Sequence, residues 1–426
     1  MRILYFLPFL LMASCFSEEK VDIGSSDTFI RYFNGGYNDY PVSIEKTTDN
    51  GYIILSNMAL NDGRYKIKLI KTDHQGNTVW THVYPAFNTT AADPARPSKR
   101  AFGLLVLEDG SFVLAGENIT KVNNKTRSQV LVMTVDAEGK QNSEKVYTSP
   151  SSIRGIAITE NTHPDSLDAS KKPKGYIVLG SIYTDESNLT NDPENMIVGG
   201  IRKSDLAATW LRSYGNGDSN LTNKIFLDAS GSLFFGGTVT RQNKSKVRLV
   251  KTQQGLENTD FDLAIGDPQF NESGNDICRY GFGFAVIGST NKNGERDIFY
   301  QRLSEDGTVI GSASIFPVTT PDGTAVPGNK GGNALGVTQD GGLLLAGTVP
   351  SNEALGFGRG GSDMYLIKID AFGTINWQKD FGSVKDDQSI ATLQADDGGY
   401  IILGRTILAG LETIMMMKTD KNGNVQ

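Results

Sequence analysis

The sequence predicts an all-β fold: a seven-bladed β-propeller of four-stranded antiparallel blades, closed by the N-terminal strand pairing with the C-terminal blade. Three observations predict it. A short apolar run recurs seven times and does not alternate with polar residues. Asp- and Gly-containing turns flank it at matching places in most copies. The chain stops one strand short of a complete unit, and an orphan strand stands at its beginning.

The unit is plainest at 341–381, GGLLLAGTVPSNEALGFGRGGSDMYLIKIDAFGTINWQKDF, with its first strand expected at 334–338. The second strand is the best marker. Its copies are Tyr52-Ile53-Ile54-Leu55, Phe112-Val113-Leu114-Ala115, Tyr176-Ile177-Val178-Leu179, Leu233-Phe234-Phe235, Phe284-Ala285-Val286-Ile287, Leu343-Leu344-Leu345-Ala346 and Tyr400-Ile401-Ile402-Leu403. An unbroken apolar run suits a strand buried on both faces, as stacked blades require. Glycine follows most copies (Gly116, Gly180, Gly236, Gly288, Gly347, Gly404), which predicts close backbone approach between neighbouring sheets.

Hairpin turns come next. Asp49-Asn50-Gly51, Asp109-Gly110, Asp340-Gly341 and Asp397-Gly398 precede the second strand. Turns at 73–76, 136–139, 370–373 and 420–423 join the third strand to the fourth. Asp starts such turns and glycine supplies positive φ. The fourth strand carries aromatics four apart, Trp80/Tyr84, Trp210/Tyr214 and Trp377/Phe381. On a strand these share one face, which predicts packing between blades. Basic residues on the third strands (Lys71, Arg202, Lys251, Arg302, Lys368, Lys418) are expected to cover a solvated blade edge.

The ends specify closure. Phe29–Phe33 repeats the four-residue aromatic spacing, and Phe33 precedes Tyr52 by 19 residues, as Phe381 precedes Tyr400. This strand therefore takes the place of the missing fourth strand and pairs with 413–418, removing an open edge. Units three to five depart from the pattern: an insertion at 160–174, Gln253-Gln254-Gly255 as a turn, and Arg279-Tyr280-Gly281-Phe282-Gly283 as another.

Glycine is abundant at 48 residues, as many tight turns require. The net charge of −7 and the absence of a basic run argue against a nucleic-acid partner, which needs a positive field. The three histidines (His74, His82, His163) fall in a turn, on a fourth strand and in the insertion. Neither H-E-x-x-H, C-x-x-C nor G-x-S-x-G occurs. No catalytic residue, cofactor or metal site is therefore assigned. Gly356-Phe357-Gly358-Arg359-Gly360-Gly361 fits G-x-G-x-x-G as a string, but a strand rather than a helix is expected after it.

The N-terminus reads as a targeting segment, with Arg2 before an apolar stretch at 3–11 that is too short to span a bilayer. Met12-Ala13-Ser14-Cys15 resembles a bacterial lipobox, which implies cleavage before Cys15 and lipidation of its thiol. Ser17-Glu18-Glu19-Lys20 resembles the acidic export tag of Bacteroidota surface lipoproteins. The expected domains are a signal peptide at 1–14, a lipidated cysteine and tether at 15–28, and one propeller at 29–426. Cys278 then has no partner for an intrachain disulfide and is expected on an inner strand as a small buried hydrophobe.

The repeats DGGYIILG and LIKID…G…W resemble those of bacterial surface propellers and of quinoprotein-type propellers. They are similar in kind to those of the eight-bladed propeller lipoprotein that assists outer-membrane protein assembly. Sialidase Asp-boxes are absent, since Ser304-Glu305-Asp306-Gly307 lacks the tryptophan. The resemblance implies a lipid-anchored, cell-surface-exposed outer-membrane protein. Its expected role is that of a non-enzymatic accessory scaffold with a protein partner on the long-loop face. The alternative is a surface glycan binder or a carboxylate-based glycan-active enzyme. Long loops are expected at 85–99, 316–333 and 350–362, all on one face. Asp39, Asp218, Asp276 and Asp387 are read either as an acidic ring at the channel mouth or as turn starters. Phe87, Phe316 and Phe357 are the aromatics that would stack on sugar rings.

Overall fold

The computed structural model describes residues 28–85, 98–122, 125–163, 167–171, 173–183, 195–215, 219–228, 231–252, 259–320 and 322–425. The signal, the tether up to residue 27 (Cys15 included), Phe87 and Asp218 lie outside them. The described chain forms seven four-stranded antiparallel sheets arranged as a ring. Blades 1 to 6 span 38–84, 98–147, 152–214, 219–265, 272–316 and 331–381. Blade 7 joins 388–419 to the N-terminal strand Phe29–Phe33. The closing register runs from Phe29 opposite Lys418 to Phe33 opposite Ile414.

The first strand of every blade lies innermost and touches the first strand of each neighbour. Second and third strands are buried along nearly their whole length, as in Tyr52–Ala59 and Tyr65–Thr72. Their side chains form clusters that each span two adjacent blades. Each large apolar side chain buried this way contributes about 1.5–3 kcal/mol. The fourth-strand aromatics reach across to the next blade. Trp80 meets Phe112 edge-on at 6.1 Å, Tyr214 meets Phe235 at 4.9 Å, and Trp377 meets Tyr400 at 5.7 Å.

All seven inner strands carry a bulge at the same level, for instance between Pro41 and Ser43 and between Gly274 and Asp276. The glycine after the second strand sits opposite it: Gly116 pairs with Ala101, Gly288 with Gly274 and Gly347 with Gly332. A Cβ on Gly116 would lie 2.0 Å from the Arg100 carbonyl oxygen, and one on Gly288 would lie 1.6 Å from that of Ser273. The close approach is thus to the bulged strand of the same blade, not chiefly to the neighbouring sheet. In blade 4 the equivalent residue is Gly237, opposite Thr222.

Arg202 is exposed as expected, but three of the third-strand lysines are not on a solvated edge. Lys71, Lys368 and Lys418 are buried, and each holds the Asp of its own blade's first turn. The pairs are Lys71–Asp49 at 2.9 Å, Lys368–Asp340 at 2.8 Å and Lys418–Asp397 at 2.5 Å. Lys71 and Lys368 also donate to the Thr72 and Ile369 carbonyls. Partial burial pushes the Asp340 carboxyl up, but hydrogen bonds from Lys368, Thr338 and the Gly342 amide outweigh it and hold it at about 2. The expected loop at 350–362 is instead an extended hairpin. Pro350 pairs with Ser362, Asn352 pairs with Phe357, and a 3-10 turn at Glu353–Leu355 forms its tip. The sixth inner strand spans Gly331–Val337, beginning earlier than 334 because its bulge lets polar and glycine residues join the sheet.

Deleting Phe29–Phe33 exposes the edge of Leu411–Thr419, whose Met415, Met416 and Met417 belong to the core. We expect loss of a single cooperative unfolding transition and concentration-dependent aggregation, read by calorimetry and light scattering. The Asp340–Lys368 pair stabilises the fold above the ordinary carboxyl pKa and fades as pH falls through about 2. Asp340→Asn should therefore cost about 1 kcal/mol in urea unfolding at pH 6, the upper end for a partly exposed pair. That deficit should shrink steadily as the measurement moves to pH 3 and below.

Candidate functional site

The bulge determines what faces the central channel. Before it, alternate residues point inward; the bulge places two consecutive residues on the lumen side and then resets the alternation. Three layers line the shaft. Tyr40, Arg100, Arg154, Ser273 and Gln388 lie nearest the ends where the long loops enter. Val42, Phe102, Ile156, Asn275, Asn333 and Ile390 form the bulge layer, together with Lys224 and Asp276. Glu45, Leu105, Phe226, Cys278 and Leu393 lie below, toward the tight turns. These residues are partly exposed, whereas those between them, such as Ala101, Ile277 and Ser389, are buried between blades. All seven inner strands contribute to a cavity of about 410 Å³ at the two lower layers.

This geometry separates the acidic residues singled out in the sequence. Asp39 and Asp387 precede the bulge by three residues, and both are buried between blades rather than presented at the mouth. Asp39 pairs with Lys68 at 2.7 Å. Burial holds its carboxyl above the ordinary value, against the pull of Lys68. Asp387 accepts from the Ser383 amide at 2.6 Å and hydroxyl at 2.8 Å, closing the turn before its strand. Asp276 follows the bulge and does line the cavity. It also accepts from the Leu335 amide at 3.1 Å, on the next blade. Two of the three aromatics expected to meet sugars are buried instead, and Phe87 lies outside the described residues. Phe316 and Phe357 are 3% and 6% exposed and pack in one core cluster with Tyr300 and Tyr365. They belong to strands, not loops, so burial of their rings drives the packing of blades 5 and 6.

Two arrangements in the shaft were not foreseen. The first is an arc of alternating guanidinium groups and rings at the long-loop mouth, running through blades 7, 1, 2 and 3. Arg405 lies over Tyr40 at 5.6 Å, and Tyr40 neighbours Tyr65 at 6.3 Å. Arg100 lies over Tyr65 at 4.9 Å and Phe102 at 5.6 Å. Arg154 lies over Phe102 at 5.0 Å and Tyr183 at 5.0 Å. The fully buried Glu117 joins the two central arginines. It accepts from Arg100 Nε at 2.6 Å, Arg154 Nε at 3.0 Å and the Ser128 hydroxyl at 2.5 Å. Two cations thus share one carboxylate, and the guanidinium planes are held rigid by stacking and hydrogen bonds. Arg405 is paired with Glu412 at 3.3 Å, so the excess positive charge with fixed donors is that of Arg100 and Arg154 over Glu117.

The second is the charged cluster within the cavity. Lys224 Nζ lies 3.7 Å from Asp276 Oδ1, and Glu45 faces both from blade 1. The Asp276 charge holds the Lys224 ammonium pKa up against burial. Burial pushes the Glu45 carboxyl up, opposed by Lys224 and reinforced by Asp276. Cys278 lies on the same inner strand as Asp276, half-buried rather than fully enclosed, and burial pushes its thiol well up. Among the described residues, no group of three or more His, Cys, Asp or Glu is placed to hold a metal. The glycine opposite six of the seven bulges, replaced by Ser56 in blade 1, was the sequence signal for these layers, because it marks where the inward alternation resets.

No family model and no curated protein matches the chain. Several solved structures resemble it distantly. An α-L-arabinanase of Penicillium chrysogenum complexed with arabinobiose is 12% identical at a TM-score of 0.47, covering 78% of this chain and 95% of its own. The β-propeller domain of the Trilobed protease of Pyrococcus furiosus is 10% identical at 0.43, covering 91% and 97%. A Trypanosoma rangeli sialidase is 12% identical at 0.41, covering 92% of this chain; the chain spans 60% of that protein's length. At these identities the likeness is one of fold.

Proposed function

We propose that this chain is an exported, lipid-anchored binding propeller whose long-loop mouth holds an acidic saccharide. The observation that carries this is the Arg100–Glu117–Arg154 unit, two stacked guanidinium groups sharing one carboxylate around Phe102. Carboxylates suit such donors, because guanidinium groups bind them with directed, charge-assisted hydrogen bonds. Partly exposed rings beside them suit the apolar faces of sugars. Binding rather than turnover is favoured by the mouth's own carboxylate, since both Glu117 oxygens are engaged by arginine.

Tetragalacturonate, a chain of carboxylate-bearing sugars, is the probe. Calorimetric titration should show saturable binding that Arg154→Ala weakens at least tenfold, with neutral oligosaccharides inert. Equal binding by the variant, or preference for neutral sugars, overturns the assignment of this site.

Anchoring is supported by the lipobox resemblance around Cys15. Among the described residues no helix is long and apolar enough to cross a membrane. A second reading, an accessory subunit of an outer-membrane complex, is favoured by the tight-turn face. There Phe282 and Phe372 of adjacent blades are 97% and 92% exposed. Both parts are tested on membranes of cells grown with labelled palmitate. Cys15→Ala should abolish labelling, and a protein co-purifying after mild extraction should be lost from the doubly substituted Phe282→Ser, Phe372→Ser chain. Retained label in Cys15→Ala defeats the anchor, and recovery of the wild-type chain alone defeats the complex.

A further inference from the structure

The cavity below the mouth is chemically unlike the mouth itself. Its volume of about 410 Å³ lies within the range of small-molecule pockets, about 300–1,000 Å³. One wall is apolar, made by Val42, Ile156 and Ile390. Across from it stand Lys224 and Asp276, and Glu45 faces them from the strand that also carries Val42. Lys224 is committed to Asp276, while the Glu45 carboxylate accepts no hydrogen bond from the described residues. The Lys224 side chain is nevertheless 47% exposed to the lumen, so the charged wall is reachable from within the shaft. With both carboxylates ionised, the cluster carries two negative charges against one positive.

We propose that this cavity is a binding site for a primary alkylammonium group, its nitrogen between Glu45 and Asp276 and its alkyl chain along the Val42–Ile156–Ile390 wall. An ammonium supplies three hydrogen-bond donors and the missing positive charge. Its chain covers apolar surface that a metal ion would leave bare. A free carboxylate in such surroundings is otherwise costly to keep ionised, and a bound cation removes that cost. Glu45 and Asp276 take no part in the arginine arc, although Phe102, over which Arg100 and Arg154 lie, also lines the cavity.

The full chain is titrated with n-hexylamine in a calorimeter, with 1-hexanol as the uncharged control. One saturable site per chain is expected, with hexanol showing none. Glu45→Gln should weaken hexylamine binding tenfold or more. Lys224→Met should strengthen it several-fold, because it removes the resident cation that competes for Asp276. A folding defect lowers binding in either variant, so a gain in Lys224→Met separates charge competition from damage. Absence of saturable binding, equal binding of hexanol, an unaffected Glu45→Gln chain, or no gain in Lys224→Met overturns the proposal.

Discussion

Five residue pairs, from Phe29 opposite Lys418 to Phe33 opposite Ile414, hold the ring shut. A propeller blade buries both faces of its sheet only if a neighbour stands on each side, so one open blade leaves a core face and a strand edge exposed together. Here the closing strand comes from the opposite end of the chain. The cluster shared by blades 7 and 1, and with it the closed shaft, depends on these two segments having met. The loop they close is nearly the length of the described chain, which makes their pairing entropically demanding and local contacts within blades correspondingly important.

Within each blade, polar devices fix the positions of the strands. Lys71, Lys368 and Lys418 tie the third strand to the turn between the first and second. Pairs such as Asp39–Lys68 and Lys330–Asp297 occupy the buried start of inner strands. Buried ion pairs contribute little net stability once desolvation is counted, and removing one partner is expensive. They tie the third strand of a blade to its own first turn, and Lys330–Asp297 ties one blade to the next.

The seven bulges turn this framework into a shaft with a chemical polarity. The bulges of blades 4 and 5 bring Lys224 and Asp276 inward, while Asp39 and Asp387, ahead of theirs, stay between blades. The result is a mouth with surplus positive charge and, beneath it, a half-apolar cavity with surplus negative charge. Both are built on strands rather than loops, which holds the charged groups in position without an ordering cost on binding.

The blade count, the order of strands, the closing pairing and the aromatic contacts between blades were legible in the residues themselves. They follow from local rules: apolar runs for doubly buried strands, Asp and Gly for turns, and aromatics four apart for one strand face. Lys368 and Asp340 were visible as residues, yet their pairing was not, because it depends on the third strand crossing back beside the first turn. The shaft was illegible for a related reason. A bulge adds one residue without changing composition, so periodicity alone sends Asp39 and Asp276 to the same face, and only the folded blade sends them apart. Phe316 and Phe357 likewise looked like loop aromatics until the adjacent strands extended to bury them. Local sequence determined which segments became strands and how they closed; the packed ring decided which side chains met in its interior, because that depends on register across strands distant in the chain.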